Sequence, residues 1–364
     1  MASNYFFHSP VKTFVGEDFD TLLLSLAGDA RNISVISGAT SIIKTGFKKR
    51  IEKLLQDRNL LFFSEIEENP SIETVMRGGS VVREHKTELV IAFGGGSALD
   101  AAKAVALFGN NRGNFYEVFN AKKLNPALPV IAIPTTCGTG SEMNSYAIIT
   151  DLESMDKVNL SKESMFPVAA ILEPSFLKTL GKDLLMATVF DAFSHAFEGY
   201  LSKRSNPFSD IIALQSIDMI LQTIIKSDGF ENPDDEVLAS FLYGSSLAGI
   251  VILHTGTTLL HALGYYFTNH KKIHHGKANA ILLGAYVSLG RSAKVEKMAV
   301  VDKIFEKYGM NLDGFTEPYY GNEQVSGIVP VNEADTFIEY AIGKPNAILS
   351  PFDIDFHKIK QALY

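Results

Sequence analysis

The sequence predicts two domains of different class: an α/β N-terminal domain on a parallel sheet, residues 1–176, and an all-helical C-terminal domain, residues 177–364. Three observations predict this. Up to about residue 175, short β-branched runs alternate with amphipathic stretches, the pattern of a parallel sheet covered on both faces. Beyond about residue 180 the strand signal fades and long helical patterns follow one another. The chain has 364 residues, 46% of them hydrophobic, which is length and apolar content enough for two cores.

The elements follow in order. ISVIS (33–37) reads as a strand and TGFKKRIEKLLQD as the helix after it. LLFFS, with Leu60, reads as a second strand, followed by a helix over about 71–85. ELVIAF (88–93) is a strand that leads into the helix ALDAAKAVALF, and PVIAIP (129–134) is a further strand. The boundary falls near Glu173-Pro174. Helical patterns then occupy 182–203, 207–226, 234–252, 256–269, 277–294 and 295–308. Residues 313–350 are turn-rich and irregular, and FDIDFHKIKQAL forms a last short helix. There is no internal repeat and no low-complexity tract. A chain of this organisation is expected to work in the cleft between its domains.

Composition excludes several classes of function. The net charge of -8, with charges of mixed sign and no basic block, argues against nucleic acid and against an anionic membrane surface as partners. The single cysteine, Cys137, rules out an intrachain disulfide or a thiolate metal cage. The N-terminal residues lack the pattern of a secretory signal, and no stretch approaches the length of a membrane span. A soluble, cytoplasmic protein is expected.

Two loops carry candidate binding chemistry. In FGGGSALDAAK (93–103), three glycines follow a buried strand and open a helix. Glycine lets backbone approach a phosphate closely, and the helix N-terminus offers free N–H groups and a favourable dipole. The spacing is neither GxGxxG nor a P-loop, and a tight turn is the plain alternative. The candidates here are Gly94, Gly95, Gly96, Ser97 and Asp100. IPTTCGTGSE (133–142), also at a strand end, is dense in hydroxyls and free N–H groups. It offers Thr135, Thr136, Thr139 and Ser141 to a nucleotide's base and ribose; alone it is simply a polar loop. Two such loops at one sheet edge point to one nucleotide cleft in a Rossmann-like domain. Cys137 has no basic neighbour in sequence and reads as a small packing residue.

Two further stretches carry candidate metal ligands. In DAFSHAFEGY (191–200), Asp191 and His195 stand i, i+4, one turn apart on one helix face. Their neighbours are apolar, so the pair is expected inside, hydrogen-bonded to each other or bound to a metal. HALGYYFTNHKKIHHG (261–276) holds four of the chain's nine histidines. One unbroken helix would separate His261 from His275 by roughly 21 Å, so a shared ion requires a turn between them. FTNHKKIHHG supplies that turn, with His270, Lys271 and Lys272 solvated on it. His254 reads as a core or surface residue. Together Asp191, His195, His261 and His275 make one site whose three imidazoles and one carboxylate suit Fe²⁺ or Zn²⁺.

These motifs, in this order and over nearly the whole chain, resemble those of the iron-containing (group III) alcohol dehydrogenase family. GGGSALDAAKA, PTTCGTGSE, DAFSHAFEGYLS and HHGKANAILL carry the resemblance. It implies a dehydroquinate synthase-like architecture, one divalent metal on Asp191, His195, His261 and His275, and NAD(P)-dependent oxidoreduction of a small aldehyde or primary alcohol by a homodimer. Many members carry a further histidine four residues after the third ligand. Here that position is Tyr265, similar to a subgroup acting on aldehydes with an anionic tail such as phosphonate or sulfonate. Tyr265, with His261, is the candidate catalytic group. Members preferring NAD tend to place an aspartate after the second strand. Gly38 stands there instead, with Lys44 nearby, so NADP(H) is expected over NAD(H). The competing readings are a dehydroquinate synthase-like lyase with recycled NAD, and a non-catalytic protein that keeps the fold.

Overall fold

The strands form where β-branched and aromatic side chains cluster between turn residues. In the computed structural model, which describes residues 5–154, 156–321 and 324–364, they are β1 (Lys12–Val15), β2 (Asn32–Ser37), β3 (Asn59–Phe63), β4 (Leu89–Gly94), β5 (Val130–Pro134), β6 (Tyr146–Asp151), β7 (Asp156–Ser161) and β8 (Ala169–Leu172). Six of them make one sheet in the order β1-β8-β5-β4-β2-β3, with every pair parallel. β6 and β7 form a separate antiparallel pair.

Helices cover both faces: α1 (Phe19–Ala27), α2 (Ser41–Lys44), α3 (Phe47–Leu54), α4 (Ile72–Glu84), α5 (Gly96–Asn110) and α6 (Phe115–Asn120). Residues alternate along β4. Leu89, Ile91 and Phe93 join one apolar core with α1 and α3, while Val90 and Ala92 join another with α4 and α5. This double burial is why β4 reads as an unbroken apolar run. On the first face Phe47 stacks on Phe93 with ring centres 3.8 Å apart.

Sequence order and sheet order reverse between β2 and β4: β3 lies outside β2 on one side, and β4, β5, β8 and β1 follow on the other. In open α/β sheets ligands bind at the carboxyl ends of the strands at such a switch point. Gly38 follows the end of β2, and Gly94–Ser97 joins β4 to α5.

The second set of helices is α7 (Lys182–Leu201), α8 (Pro207–Lys226), α9 (Asp235–Thr255), α10 (Leu259–Lys271), α11 (His275–Ser292), α12 (Met298–Lys307), α13 (Glu317–Tyr320), α14 (Val325–Ile328), α15 (Ala334–Ile342) and α16 (Phe356–Leu363). Starts are set by caps. The Asn206 side chain accepts from Phe208 and Ser209 N–H, with Pro207 at the first position of α8, and Asp234 caps α9. α7 is buried continuously from Leu185 to Leu201, so other helices surround it.

The chain divides into two compact units. Among the described residues, one is His8–Thr136 with Gly140–Leu180; the other is Gly181–Tyr364 with Cys137–Thr139 and residues 5–7. The expected boundary at residue 176 falls within a 3₁₀ turn, Pro174–Thr179. The expectation that no stretch reaches membrane-span length is corrected. α8 and α9, at 20 and 21 residues, are long and apolar enough by length and composition. Of their apolar windows 44% in α8 and 61% in α9 is buried, and core helices of this length pass the same test.

Candidate metal centre and nucleotide loops

The run from Leu184 to Leu201 is apolar apart from a few positions, and its charged or imidazole side chains are Asp191, His195 and Glu198. All three are buried. Groups of this kind persist in an apolar helix only when paired. α10 and α11 supply the partners. The turn between those helices is short: α10 runs through Lys271, Lys272 takes a left-handed conformation with φ 56°, and α11 begins at His275. His270 therefore lies in the last turn of α10 and not in the connection as expected. It is exposed, with its ring 4.5 Å from that of Tyr266. Lys271 is not merely solvated: its ammonium bonds Glu333 at 2.7 Å.

Among the described residues, Asp191, His261 and His275 form a group whose ligand atoms all lie within 4.8 Å of one another. The Nε2 atoms of His261 and His275 stand 3.7 and 3.9 Å from Asp191 Oδ1. His195, the fourth expected ligand, adjoins this group without being part of it, its ring stacked on His261 at 4.6 Å between centres. His254 takes no part, and stacks on Phe7 at 4.3 Å.

The partners of the ring nitrogens decide which tautomer each histidine adopts. His195 Nδ1 faces the Gly138 carbonyl at 3.1 Å, so it carries the proton and donates. His261 Nδ1 faces the Glu198 carboxylate and likewise donates. His275 Nδ1 lies 3.3 Å from the Thr268 hydroxyl, whose own proton goes to the Gly264 carbonyl. All three are thereby held with Nδ1 protonated, which leaves Nε2 as the nitrogen that bears the coordinating lone pair. The Asn279 amide is consistent with this: its Nδ2 donates to Asp191 Oδ1 at 3.1 Å and lies 3.3 and 3.4 Å from Nε2 of His261 and His275. Its buried Oδ1 has no hydrogen-bond partner among the described residues. Nitrogen lone pairs converging on a carboxylate oxygen, with no thiolate, fit a divalent ion of the Fe²⁺ or Zn²⁺ kind.

Electrostatics agrees with that donor set. Burial raises the Asp191 carboxyl, but the charges of His195, His275 and His261 outweigh it and hold it at about 2. Burial pushes the His195 imidazole below its usual value, against the pull of the Asp191 charge. Tyr265, on α10, stacks its ring on His275 with centres 5.4 Å apart. Burial above all, then the Glu198 charge, lifts its phenol far above the ordinary range, against a hydrogen bond with Thr257.

Glu198 is the site residue that the sequence reading passed over. It is fully buried, and its carboxylate accepts from His261 Nδ1, from the Thr258 hydroxyl, from Thr258 N at 2.9 Å and from His261 N at 3.3 Å. Its signal was a lone carboxylate in AFEGYL, two turns from Asp191 on the same helix.

Among the nucleotide-loop candidates, Gly94 ends β4, Gly95, Gly96 and Ser97 follow it, and Thr135 follows the neighbouring β5. Gly94 has φ 147°, and a Cβ there would stand 2.7 Å from Ala98 Cβ, so no side chain fits. A Cβ on Gly95 would meet Thr136 at 3.1 Å, which sets the first turn beside the second loop. Gly96 opens α5, whose first N–H groups lack helical partners. The Ser97 hydroxyl accepts from Asn69 N at 3.1 Å. Asp100 spends both oxygens inside the protein, on the Ser141 hydroxyl and on Ile148 N at 2.9 Å. Ser141 also accepts from the buried ammonium of Lys103 at 2.7 Å, so Asp100, Ser141 and Lys103 brace the second loop. Thr135 is buried and Thr139 partly so. Cys137 is buried, 3.5 Å from the Thr188 hydroxyl, as a packing residue would be.

Comparison with known proteins matches this arrangement. Residues 10–174 match the model of the iron-containing alcohol dehydrogenase family. Residues 185–319 match the C-terminal model of the Fe-containing alcohol dehydrogenase family. Alcohol dehydrogenase 4 of Saccharomyces cerevisiae is 36% identical over 248 residues, 66% of this chain and 64% of that protein. The match therefore spans a little under two thirds of that relative's length. The NAD-dependent methanol dehydrogenase of Bacillus methanolicus is 30% identical over 276 residues, 75% of this chain and 71% of that protein. The crystal structure of an iron-containing alcohol dehydrogenase from Thermotoga maritima is 33% identical, with a TM-score of 0.87 over 99% of each chain. With both of its halves matched and its fold shared, the chain belongs to the iron-containing alcohol dehydrogenase family.

Proposed function

We propose that this protein is a metal- and NAD(P)H-dependent alcohol dehydrogenase and aldehyde reductase acting on a small aldehyde or primary alcohol. The observation that carries this reading is the convergence of Asp191, His261 and His275 beside His195. These four side chains would hold Fe²⁺ or Zn²⁺. When bound, such an ion supplies a Lewis acid for a carbonyl oxygen, and a nicotinamide supplies the hydride.

The chain's own residues do the rest. Acceptors on each Nδ1 keep the imidazoles oriented, and Asp191 stays ionised through the working range. Tyr265 keeps its proton, which suits a phenol that donates a hydrogen bond and orients the substrate better than one that releases a proton. Because Tyr265 stands where many members carry a histidine, aldehydes with a phosphonate, sulfonate or carboxylate tail are the proposed substrates. N–H groups of Gly94, Gly95, Gly96 and Ser97 take the cofactor diphosphate, and Thr135, Thr136 and Thr139 its base and ribose. Around Gly38 a Cβ would meet only Ile66 O at 3.5 Å and Ser41 Oγ at 3.8 Å. That space, and the absence of an acid at this position, support NADP(H) over NAD(H). A cytoplasmic homodimer belongs to the same proposal.

The test is cofactor consumption with short aldehydes bearing neutral, carboxylate, phosphonate and sulfonate tails, in defined Fe²⁺ and Zn²⁺. His261→Ala should lose metal and turnover together. Full activity in that variant, or in metal-stripped protein, sinks the assignment. A strong preference for NADH refutes the cofactor part alone.

A further inference from the structure

We infer that Glu198 is a positioning residue of the metal centre, holding His261 in the one tautomer that can coordinate. This rests on the reading of Asp191, His195, His261 and His275 as metal ligands. The four donors described above divide between its two oxygens. Oε1 takes Thr258 N, the Thr258 hydroxyl and His261 N, all at the start of α10. Oε2 takes His261 Nδ1. The same carboxylate therefore caps α10 and fixes the ring of a residue one turn into that helix. The three histidines differ in what holds Nδ1. His195 has a carbonyl, His275 a hydroxyl and His261 a carboxylate. An ionised acceptor raises the basicity of the opposite nitrogen as well as orienting the ring.

The arrangement makes a glutamine at this position informative. An amide has one acceptor and one donor end. If its oxygen stays on the three α10 donors, its NH₂ faces His261 Nδ1 and forces the proton to Nε2, the coordinating atom. If it turns over, its NH₂ faces two backbone N–H groups. Neither orientation reproduces the carboxylate. Binding then requires a tautomer shift or a broken cap.

The experiment compares wild type with Glu198→Gln in three ways. Zn²⁺ and Co²⁺ affinity is measured against a chelator, the Co²⁺ d–d spectrum is recorded, and His261 tautomer is read by ¹⁵N NMR of histidine-labelled protein. Glu198→Gln should bind metal roughly 10- to 100-fold more weakly, with an altered Co²⁺ spectrum and, metal-free, the proton on Nε2. A lowered melting temperature with unchanged affinity, spectrum and tautomer would leave Glu198 a helix cap only and overturn the inference. If the variant does not fold, wild type decides: a metal-free His261 protonated on Nε2, or a zinc-bound one coordinating through Nδ1, overturns it. Wild type that takes up no metal fails the proposed function instead, so the two failures are distinguishable.

Discussion

Gly276→Ala should damage the proposed metal centre although it adds a single methyl group next to His275, a proposed ligand. A Cβ on Gly276 would lie 1.9 Å from the Ala187 carbonyl oxygen and 3.0 Å from Asp191 Cβ. Ordinary contact begins at 3.4 Å, so the start of α11 must move away from α7 by about 1.5 Å. The obstacle is backbone, and no side-chain rotation relieves it. Overpacking of this severity costs about 3 kcal/mol, on the order of 6 to 12 °C in melting temperature for a unit of this size. His275, the preceding residue, moves with α11 while Asp191 stays on α7. A misplacement of about 1 Å at a reacting centre costs roughly 10²-fold. Gly284 is the internal control: it lies on the same helix and a Cβ there meets nothing within 4 Å. Gly284→Ala should be neutral or gain about 0.5–1 kcal/mol from helix propensity. Thermal unfolding and bound metal per chain are measured on both variants. Equal melting temperature and equal metal content in the two would refute the argument that this contact sets the spacing of Asp191 and His275.

Other expectations concern separate parts of the chain. Lys103→Met should cost about 3 kcal/mol in urea unfolding, since it leaves the partly buried Asp100 without its buried cation; a change under about 0.5 kcal/mol contradicts that. Gly38→Asp should lower the NADPH-to-NADH ratio of kcat/KM by at least about tenfold, worth roughly 1.4 kcal/mol, and an unchanged ratio removes Gly38 from cofactor choice. Tyr265→Phe should keep the fold and metal while kcat falls by about tenfold, the worth of one hydrogen bond; unaltered kcat and KM would show that the hydroxyl is idle. His85 is partly buried, its Nδ1 is 3.1 Å from the Thr87 hydroxyl, and burial holds its pKa below 6.5. The unfolded chain takes up that proton first as pH falls below 6.5, so stability present above this value is lost toward the lower folded value. Denaturant titrations at pH 8 and pH 5.5 should show wild type losing more than His85→Gln, and parallel losses would refute it.

Much of the site was legible in the sequence because its proposed ligands obey helical spacing. Asp191 and His195 at i, i+4 had to share a face, and His261 and His275 needed a turn that the polar stretch between them advertised. The sheet was legible where strands are doubly buried, as in β2, β4 and β5. It was not legible at β1 and β8, where KTFV and AAIL are four residues long and the first is mostly exposed. The β6–β7 pair escaped for a different reason: in DKVNLS only Val158 and Leu160 are apolar, alternating with Lys157, Asn159 and Ser161, too few to stand out from a polar loop. His270 was misplaced because the ring of Tyr266 beside it, and Tyr340 from α15, carry α10 on to Lys271. Glu198 and Lys103 were missed alike. Each is one charge in an apolar run, and only three-dimensional partners reveal that it is not on a solvated face.

The irregular segment after α15 touches the site at one remove. Asn346 donates to the Thr257 hydroxyl at 3.1 Å and to the Thr258 carbonyl at 3.0 Å, and the Ser350 hydroxyl accepts from Leu259 N at 3.1 Å. Thr257 is the partner of Tyr265, and Thr258 that of Glu198. A stretch with no chemistry of its own thus behaves as a tether whose slack is transmitted inward. Proteolytic nicking or substitution near Asn346 should register first as looser metal retention, before any loss of helix content, and sequence variation there is better read as tuning of the centre than as drift in a loop.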